Sequence, residues 1–310
     1  MLKNSTSWHL GVLPSLETLP LFADVSEEEI PAWDGIFQIK AHASYGEIAR
    51  HLLMRKLVAA VIPWEIFVAD VLALPGQRNQ WTVALFISAC PTELVLRPPI
   101  HRVFYPSQAL GRVRLPSRLV VGVQNQNSLT KAQFQSWLGH WKGSGGIEVI
   151  YKMLPMDLRI RALEAEAVDA TIAPSPWGIY AESRGLGACD TRFAPGKFAQ
   201  KVALVCRKDL FEDGLTEAVP FLEMMASAKR CLLRPGGMAK AVEKMIACGK
   251  PQLGLEAFEK AASLHGFESL PPAVAPDAQH LMLALARLAE QAILPAQVAV
   301  GEQTARLLVR

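Results

Sequence analysis

The fold is decided by the stretch Tyr151–Gly178, which reads YKMLPMDLRIRALEAEAVDATIAPSPWG. It begins at the end of a strand that Pro155 closes, and a helical pattern follows over Leu158–Glu166. A short apolar strand over Ala170–Ala173 comes next and ends in Pro-Ser-Pro-Trp. A strand, a helix and a second strand in this order are typical of a sheet covered by helices, so the stretch predicts an α/β fold.

The same alternation extends outward over most of the chain. Short runs rich in Val, Ile, Leu and Phe predict strands, as expected where helices cover both faces of a sheet; they are Trp8–Leu13, Leu57–Ile62, Thr82–Ser88, Leu119–Val123, Glu148–Tyr151, Ala170–Ala173 and Val202–Cys206. Helical patterns lie between or after them, over Ser44–Leu53, Thr130–Trp141, Leu158–Glu166, Ile179–Arg184 and Thr216–Leu233. Ser44 with Glu47 three residues later predicts a capping box at one helix start.

Composition limits the functions that the chain can have. Its 310 residues are 51% hydrophobic and 20% charged, which fits one large or two medium folded domains. The net charge of +3 includes no basic block, so nucleic-acid binding is not predicted. No apolar run reaches about 18 residues, so insertion into a membrane is not predicted either.

The N-terminus and the cysteines bear on the compartment. The first residues carry a lysine but no apolar run with a cleavage site, which predicts a cytoplasmic protein, or a periplasmic one if a leader was removed. The five cysteines are widely spaced and include no Cys-x-x-Cys pair, so we expect reduced thiols and neither a disulfide framework nor a zinc site. The seven histidines are dispersed; His42, His51 and His140 are predicted to be solvated or packed rather than metal ligands.

Several segments resemble a known family of binding proteins. Tyr151–Gly178 is similar to the nitrate-type solute-binding proteins of ABC transporters, in which a strand ends in prolines, a helix follows and the next strand ends in Gly-Glu-Pro-Trp. The similarity continues, in the family's order and at its spacings, in four further segments: Leu10–Leu21 (LGVLPSLETLPL), Ala43–Leu52 (ASYGEIARHL), Lys56–Glu65 (KLVAAVIPWE) and Ser136–Trp141 (SWLGHW). The family includes nitrate, bicarbonate and sulfonate receptors and related cytoplasmic nitrate sensors.

The resemblance implies the type II periplasmic-binding-protein fold, with two α/β lobes and a ligand cleft between them. On this reading residues 1–111 and 202–310 form lobe one, with a helical C-terminal part, and residues 112–201 form lobe two. The chain is expected to cross between the lobes near Arg112–Arg118 and near Gly196–Lys201.

Candidate ligand-binding residues lie beyond the carboxyl ends of the predicted strands, where open α/β sheets bind their ligands. They are Ser15, Thr18, Tyr45, Gly46, Trp64, Asn127, Thr130, Ser175 and Trp177. Tyr45 and Trp64 either touch the ligand or pack the lobes, and Trp177 either touches it or plugs the fold. The helix starts at Ser44–Gly46 and Ser128–Thr130 could seat an anion, because a helix N-terminus offers free amides and partial positive charge.

Three residues depart from the family's pattern. Thr130 falls where nitrate-type receptors carry a cleft histidine, Glu223 falls where they carry a cleft lysine, and Ser175 replaces an acidic residue. An anion in a cleft needs charge-assisted donors, and a glutamate in place of a lysine would repel it. The sequence therefore predicts that nitrate binding is lost, and that the cleft holds a different ligand or none.

The predicted function is that of a solute-binding protein, either a cytosolic small-ligand sensor or a transport receptor. Its partners would be a small molecule and an ABC permease or a regulatory protein. No cofactor is predicted, and no nucleophile elbow, His/Glu metal pair or phosphate loop is present in the sequence, so an enzyme is not predicted. Two alternatives stay open: an enzyme of cofactor biosynthesis on the same fold, and an interaction-only protein that has lost its ligand.

Overall fold

The computed structural model describes residues 8–24, 37–89, 91–105, 115–124, 129–141, 144–190, 193, 201–210, 218–249 and 253–265. In these ranges the strands are β1 His9–Val12, β2 Gln38–Ala41, β3 Ala59–Pro63, β4 Trp81–Ala89, β5 Thr92–Leu96, β6 Arg118–Val123, β7 Glu148–Met153, β8 Ala170–Pro174, β9 Ala188–Cys189 and β10 Lys201–Arg207. The helices are α1 Tyr45–Leu53, α2 Trp64–Ile66, α3 Pro98–Phe104, α4 Thr130–Leu138, α5 Met156–Glu164, α6 Trp177–Ser183, α7 Ala218–Leu233, α8 Gly237–Gly249 and α9 Leu255–His265. Helix α2 continues as a π-helix over Phe67–Leu72, and 3-10 turns lie at Leu19–Phe22, Ser144–Gly146 and Lys208–Leu210.

The strands form two five-stranded sheets, which confirms the predicted α/β fold with two lobes. The first sheet has the order β2-β1-β3-β10-β4 and the second the order β7-β6-β8-β5-β9. Each contains three parallel strands, β1 with β2 and β3 in the first sheet and β6 with β7 and β8 in the second. Strand β10 is antiparallel to both of its neighbours, and so is β5.

The end of β4 and the start of β5 show where the chain first passes from one sheet to the other. Strand β4 ends at Ala89 in the first sheet, and β5 begins at Thr92 in the second. The expected first crossing at Arg112–Arg118, and with it the boundary at residue 111, therefore does not match the sheets. The reason is that β5, a fully buried strand between β8 and β9, was not predicted. The chain returns to the first sheet between β9 and β10, and the second crossing was expected in this interval, at Gly196–Lys201. Residues 196–200 lie outside the described ranges.

The C-terminal helices divide between the sheets, whereas the sequence assigned all of them to lobe one. Helices α7 and α8 contact the first sheet at β4 and β2, respectively. Helix α9 contacts both α8 and, on the second sheet, α6, where Lys260 Nζ lies 2.9 Å from Glu182 Oε2. Among the described helices, none is long and apolar enough to cross a bilayer.

The second sheet has its own aromatic core, closed by a buried carboxylate. Phe104 and Trp137 pack with ring centroids 4.9 Å apart, and Trp141 covers them at 5.2 Å from Phe104. Asp190, 7% exposed, accepts a hydrogen bond of 2.5 Å from Trp137 Nε1 and another from the Tyr105 hydroxyl. This carboxylate therefore fixes α3 and α4 to the end of the second sheet, just before the chain returns to the first.

Candidate functional site

The two sheets meet at the loops that follow their parallel strands. Hydrogen bonds between described residues join them there: Leu16 N donates to Ser175 O (2.8 Å), Trp177 Nε1 to Pro14 O (2.8 Å) and Met156 N to Ala43 O (3.1 Å). Buried polar residues lie on the loops and helices that make this junction. We call it the inter-sheet centre; it consists of Ser15, Glu17, Thr18, Tyr45, Arg159 and Ser175.

The loop after β1 supplies two hydroxyls that are already engaged. Ser15 Oγ donates to Leu13 O over 3.0 Å, and Thr18 Oγ1 donates to the same carbonyl over 2.8 Å. Thr18 Oγ1 also accepts from Ser15 N over 3.1 Å. Ser15 and Thr18, both predicted to bind ligand, therefore belong to the centre, but their hydroxyls are hydrogen-bonded within their own loop.

Tyr45 connects the start of α1 to the same loop. Its hydroxyl donates to Glu17 Oε1 over 3.1 Å, and both side chains are buried. Glu17 was not among the predicted site residues. The structure thus places Tyr45 in the inter-sheet centre, hydrogen-bonded to a carboxylate that was not predicted to be part of the site.

Arg159 is the cation of the centre. It is 1% exposed, and its Nη1 donates to Ile172 O over 2.5 Å. Its Nε has no acceptor among the described residues. Burial lowers the pKa of the guanidinium from 12.5 to about 10, while Tyr45 and Asp157 oppose that shift, so Arg159 is charged at neutral pH.

The backbone of β6 makes room for Arg159. A Cβ at Gly122 would lie 3.4 Å from Arg159 Cγ and 3.2 Å from Thr171 Oγ1. Because Gly122 has no side chain, the Arg159 side chain can pack on β6 and reach the Ile172 carbonyl of β8. A buried charge is costly unless it is paired and fully hydrogen-bonded, so the open Nε–H points to a group that the described chain does not supply.

Ser175 faces the centre from the end of β8. Its backbone is fixed on both sides, because its N donates to Pro91 O over 2.8 Å and its O accepts from Leu16 N. Its hydroxyl is fully buried, and its Oγ has no partner among the described residues. Ser175 and Arg159 therefore each present a hydrogen-bonding atom that is not used within the described chain.

Two helix N-termini near the centre are already occupied. At α1, Ser44 Oγ accepts from Glu47 N over 3.1 Å and Glu47 Oε2 accepts from Ala43 N over 3.1 Å, close to the predicted capping box. At α6, Glu93 Oε2 accepts from Gly178 N (2.7 Å) and Ile179 N (3.1 Å). The expected anion seat at Ser44–Gly46 is thus filled by the helix's own capping groups.

The other predicted site residues lie in several places. Trp177 joins the sheets through Pro14, and Trp64 is buried against Phe86, with ring centroids 5.8 Å apart. Thr130 is buried at the start of α4. Gly46 and Glu223 are exposed, and Asn127 lies outside the described residues.

The exposure of Glu223 removes one reason for expecting lost nitrate binding. Glu223 lies on α7 with its side chain in solvent, so it does not place a negative charge in the inter-sheet centre. The inter-sheet centre also contains a cation, Arg159, which the comparison of Thr130, Ser175 and Glu223 with the family's pattern did not consider. A signal for Arg159 was present in the sequence: the buried positions of α5 are Met156, Arg159, Ile160 and Leu163, a helical spacing that puts the arginine on the apolar face.

A stability comparison tests whether the Ser175 hydroxyl is unused by the chain. We expect Ser175→Ala to raise the free energy of unfolding by about 1 kcal/mol, because it removes a buried polar atom that has no partner. Ser15→Ala should lower it by about 1 kcal/mol, because it deletes the hydrogen bond to Leu13 O. Urea unfolding of both variants measures the difference, and a loss of stability in Ser175→Ala equal to that in Ser15→Ala would show that Ser175 has an internal partner.

Comparisons with known proteins agree with this architecture. No family model matches the chain, and no curated protein matches it by sequence. Among solved structures it is similar to the periplasmic nitrate-binding protein NrtA from Synechocystis PCC 6803, with a TM-score of 0.65 and 13% identity over 98% of this chain and 85% of that one.

Two sulfonate-binding proteins are similar to the same extent. The alkanesulfonate-binding protein SsuA from Xanthomonas axonopodis pv. citri, bound to MOPS, has a TM-score of 0.65 at 12% identity over 96% of this chain and 97% of that one. The periplasmic aliphatic sulphonate binding protein SsuA from Escherichia coli has a TM-score of 0.62 at 13% identity over 96% of each chain. The predicted resemblance is therefore confirmed at the level of structure: the chain has the fold of the nitrate- and sulfonate-binding proteins of ABC transporters.

Proposed function

We propose that the protein binds a small polar solute in the inter-sheet centre and that it acts by binding rather than by catalysis. The observation that carries the proposal is the buried guanidinium of Arg159, whose Nε–H has no acceptor among the described residues. The Ser175 hydroxyl, also unused, follows β8, the strand whose Ile172 carbonyl holds the same arginine. A solute with an acceptor group would satisfy both.

The charges of the centre favour a solute with two kinds of group. The guanidinium of Arg159 favours a ligand with a carboxylate, sulfonate or similar acceptor, because charge-assisted hydrogen bonds to such groups are strong. Glu17, on the first-sheet side of the centre, is a buried carboxyl that is 1% exposed. It disfavours a ligand that is only an anion and favours one that also carries hydrogen-bond donors. Nitrate, which has acceptors alone, fits this centre less well than a zwitterion does.

We further propose a cytoplasmic location and a signalling or transport partner. The four described cysteines motivate the location, because all four are free thiols and free thiols suit a reducing compartment. A protein that closes around a solute presents a different surface when loaded than when open. If the protein is a sensor, a regulatory protein would bind one of these two surfaces. If it is a transport receptor, an ABC permease would bind one of them.

The binding proposal is tested with a solute panel and a matched pair of arginine variants. Nitrate, bicarbonate, methanesulfonate and taurine are added to the purified chain, and a rise in melting temperature identifies a ligand because binding to the native state stabilises it. Calorimetry then compares Arg159→Met with Arg161→Met, an exposed arginine on the same helix. We expect Arg159→Met to weaken binding at least tenfold, since hydrogen bonds to a charged group contribute about 1.5–3 kcal/mol.

The control variant Arg161→Met should bind the ligand as the unmodified chain does. Taurine as the strongest stabiliser of the four, with nitrate weaker, would support the inferred solute chemistry. Equal affinities in the two arginine variants, or a panel in which charged and zwitterionic solutes leave the melting temperature unchanged, would contradict the proposal.

A further inference from the structure

Three potential metal ligands meet at the start of α1, outside the inter-sheet centre. His42 precedes the helix, and Glu47 and His51 lie one turn apart on it. His42 Nδ1 is 3.6 Å from Glu47 Oε1, and the two imidazole rings have centroids 5.1 Å apart. One ligand atom from each of the three residues lies within 4.8 Å of the others. The dispersed histidines were predicted to be solvated or packed, and no His/Glu metal pair was predicted; Glu47 and His51, four residues apart on α1, have the spacing of such a pair and lie beside His42.

Two of the three side chains are held in place before any ion binds. Glu47 is fixed because its Oε2 accepts from Ala43 N, which leaves Oε1 turned towards His42. His42 is fixed because its N donates to Val12 O over 2.9 Å and its side chain is only 8% exposed. Its ring lies beside Gly11, where a Cβ would be 3.5 Å from the imidazole Nε2. The ring is thus seated against β1 with Nδ1 facing the carboxylate.

We propose that His42, Glu47 and His51 bind a zinc ion. Two imidazole nitrogens and one carboxylate oxygen form a ligand set typical of zinc sites that keep one position open. A tetrahedral ion with bonds of about 2.0–2.2 Å places its ligands roughly 3.3–3.6 Å apart, which matches the separation between His42 and Glu47. Calcium and magnesium prefer oxygen ligands, whereas imidazole nitrogen suits zinc and its transition-metal neighbours, so a set with two histidines favours zinc.

The site borders a surface groove of about 820 Å³ and is separate from the solute site. His42 and Glu47 line this groove together with Phe37, Lys244 and Cys248, so a fourth ligand would reach the ion from the groove. Tyr45, on the same helix, is fully buried in the inter-sheet centre, whereas Glu47 and His51 are partly exposed. The zinc proposal therefore stands or falls independently of the proposed solute binding.

The test measures zinc binding by the full-length chain. The protein is dialysed against EDTA and then against buffer, titrated with zinc chloride by calorimetry, and its metal content is counted by mass spectrometry. Cobalt(II) is added in parallel, because its visible absorption reports a four-coordinate site. We expect one ion per chain, and a loss of affinity of at least tenfold in each of His42→Ala, His51→Ala and Glu47→Gln.

The variants separate coordination from folding. Glutamine at position 47 can still accept the hydrogen bond from Ala43 N, so Glu47→Gln keeps the helix start while removing the charged ligand. His140→Ala, an exposed histidine after α4, is the matched control and should bind zinc unchanged. Unaltered zinc affinity in the three ligand variants, or a loss caused by Cys248→Ser instead, would overturn the proposal.

Discussion

Replacing Asp190 by alanine is expected to lower the free energy of unfolding by about 3–5 kcal/mol. The carboxylate is buried and accepts hydrogen bonds from Trp137 Nε1 and from the Tyr105 hydroxyl. Hydrogen bonds to a charged group contribute about 1.5–3 kcal/mol each, and their loss leaves the indole N–H, in a side chain only 6% exposed, without its acceptor. The expected loss is a large share of the 5–15 kcal/mol typical of a folded domain.

Two further variants show whether burial and charge cause this effect. Asp190→Asn keeps one acceptor oxygen and should cost less than half as much as Asp190→Ala. Asp24→Ala removes an exposed partner of Lys244 and should cost under about 1 kcal/mol, because surface ion pairs contribute little. Urea unfolding of all three measures the order, and an Asp190→Ala chain as stable as Asp24→Ala would show that the aromatic cluster does not depend on the carboxylate.

Replacing Glu93 by alanine is expected to cost about 3 kcal/mol. The side chain, 4% exposed, accepts from the Gly178 and Ile179 amides at the start of α6, and His265 Nε2 lies 3.2 Å from its other oxygen. Without the carboxylate, two buried backbone amides lose their acceptor at the positive end of a helix. Because α6 carries Trp177, which joins the two sheets, the same variant should also weaken the proposed solute binding.

Gly178→Ala offers an independent check on this arrangement. A Cβ there would lie 2.6 Å from Glu93 Oε2 and 2.7 Å from Glu93 Cβ, so the added methyl group forces the carboxylate away. We expect a loss of stability similar to that of Glu93→Ala, while Glu93→Gln, which keeps an acceptor, should lose about half as much. Thermal and urea unfolding give the comparison; full stability in Gly178→Ala would show that the helix start does not need Glu93.

The main features of the fold could be predicted because they depend on local pattern. Buried runs such as Ala59–Pro63 and Ala170–Pro174 have a composition that identifies a covered strand. Strand β5 was missed because Glu93 interrupts its apolar pattern, and this glutamate is buried for a tertiary reason, as the acceptor for α6. Missing β5 moved the predicted crossing more than twenty residues along the chain.

The candidate site was predicted in part for a related physical reason. Strand ends can be located from sequence, so Ser15, Tyr45 and Ser175 were found. Arg159 and Glu17 were not predicted as site residues, because charged residues are seldom buried. The sequence around a charged residue does not show whether the fold will bury it, and both of these are 1% exposed. The helical spacing of α5 places Arg159 on the apolar face of the helix, which indicated that it could be buried. That indication depends on knowing that the apolar face packs against a sheet.

The sealing of the inter-sheet centre has a kinetic consequence. None of its six residues is more than 1% exposed, so the proposed solute would enter or leave only when the junction between the sheets opens. The association rate is then the encounter rate multiplied by the fraction of molecules that are open, and each 1.4 kcal/mol in favour of closure divides that fraction by ten. The same closure would prolong the dwell time of the proposed solute, so a protein that binds it in this centre would exchange it slowly.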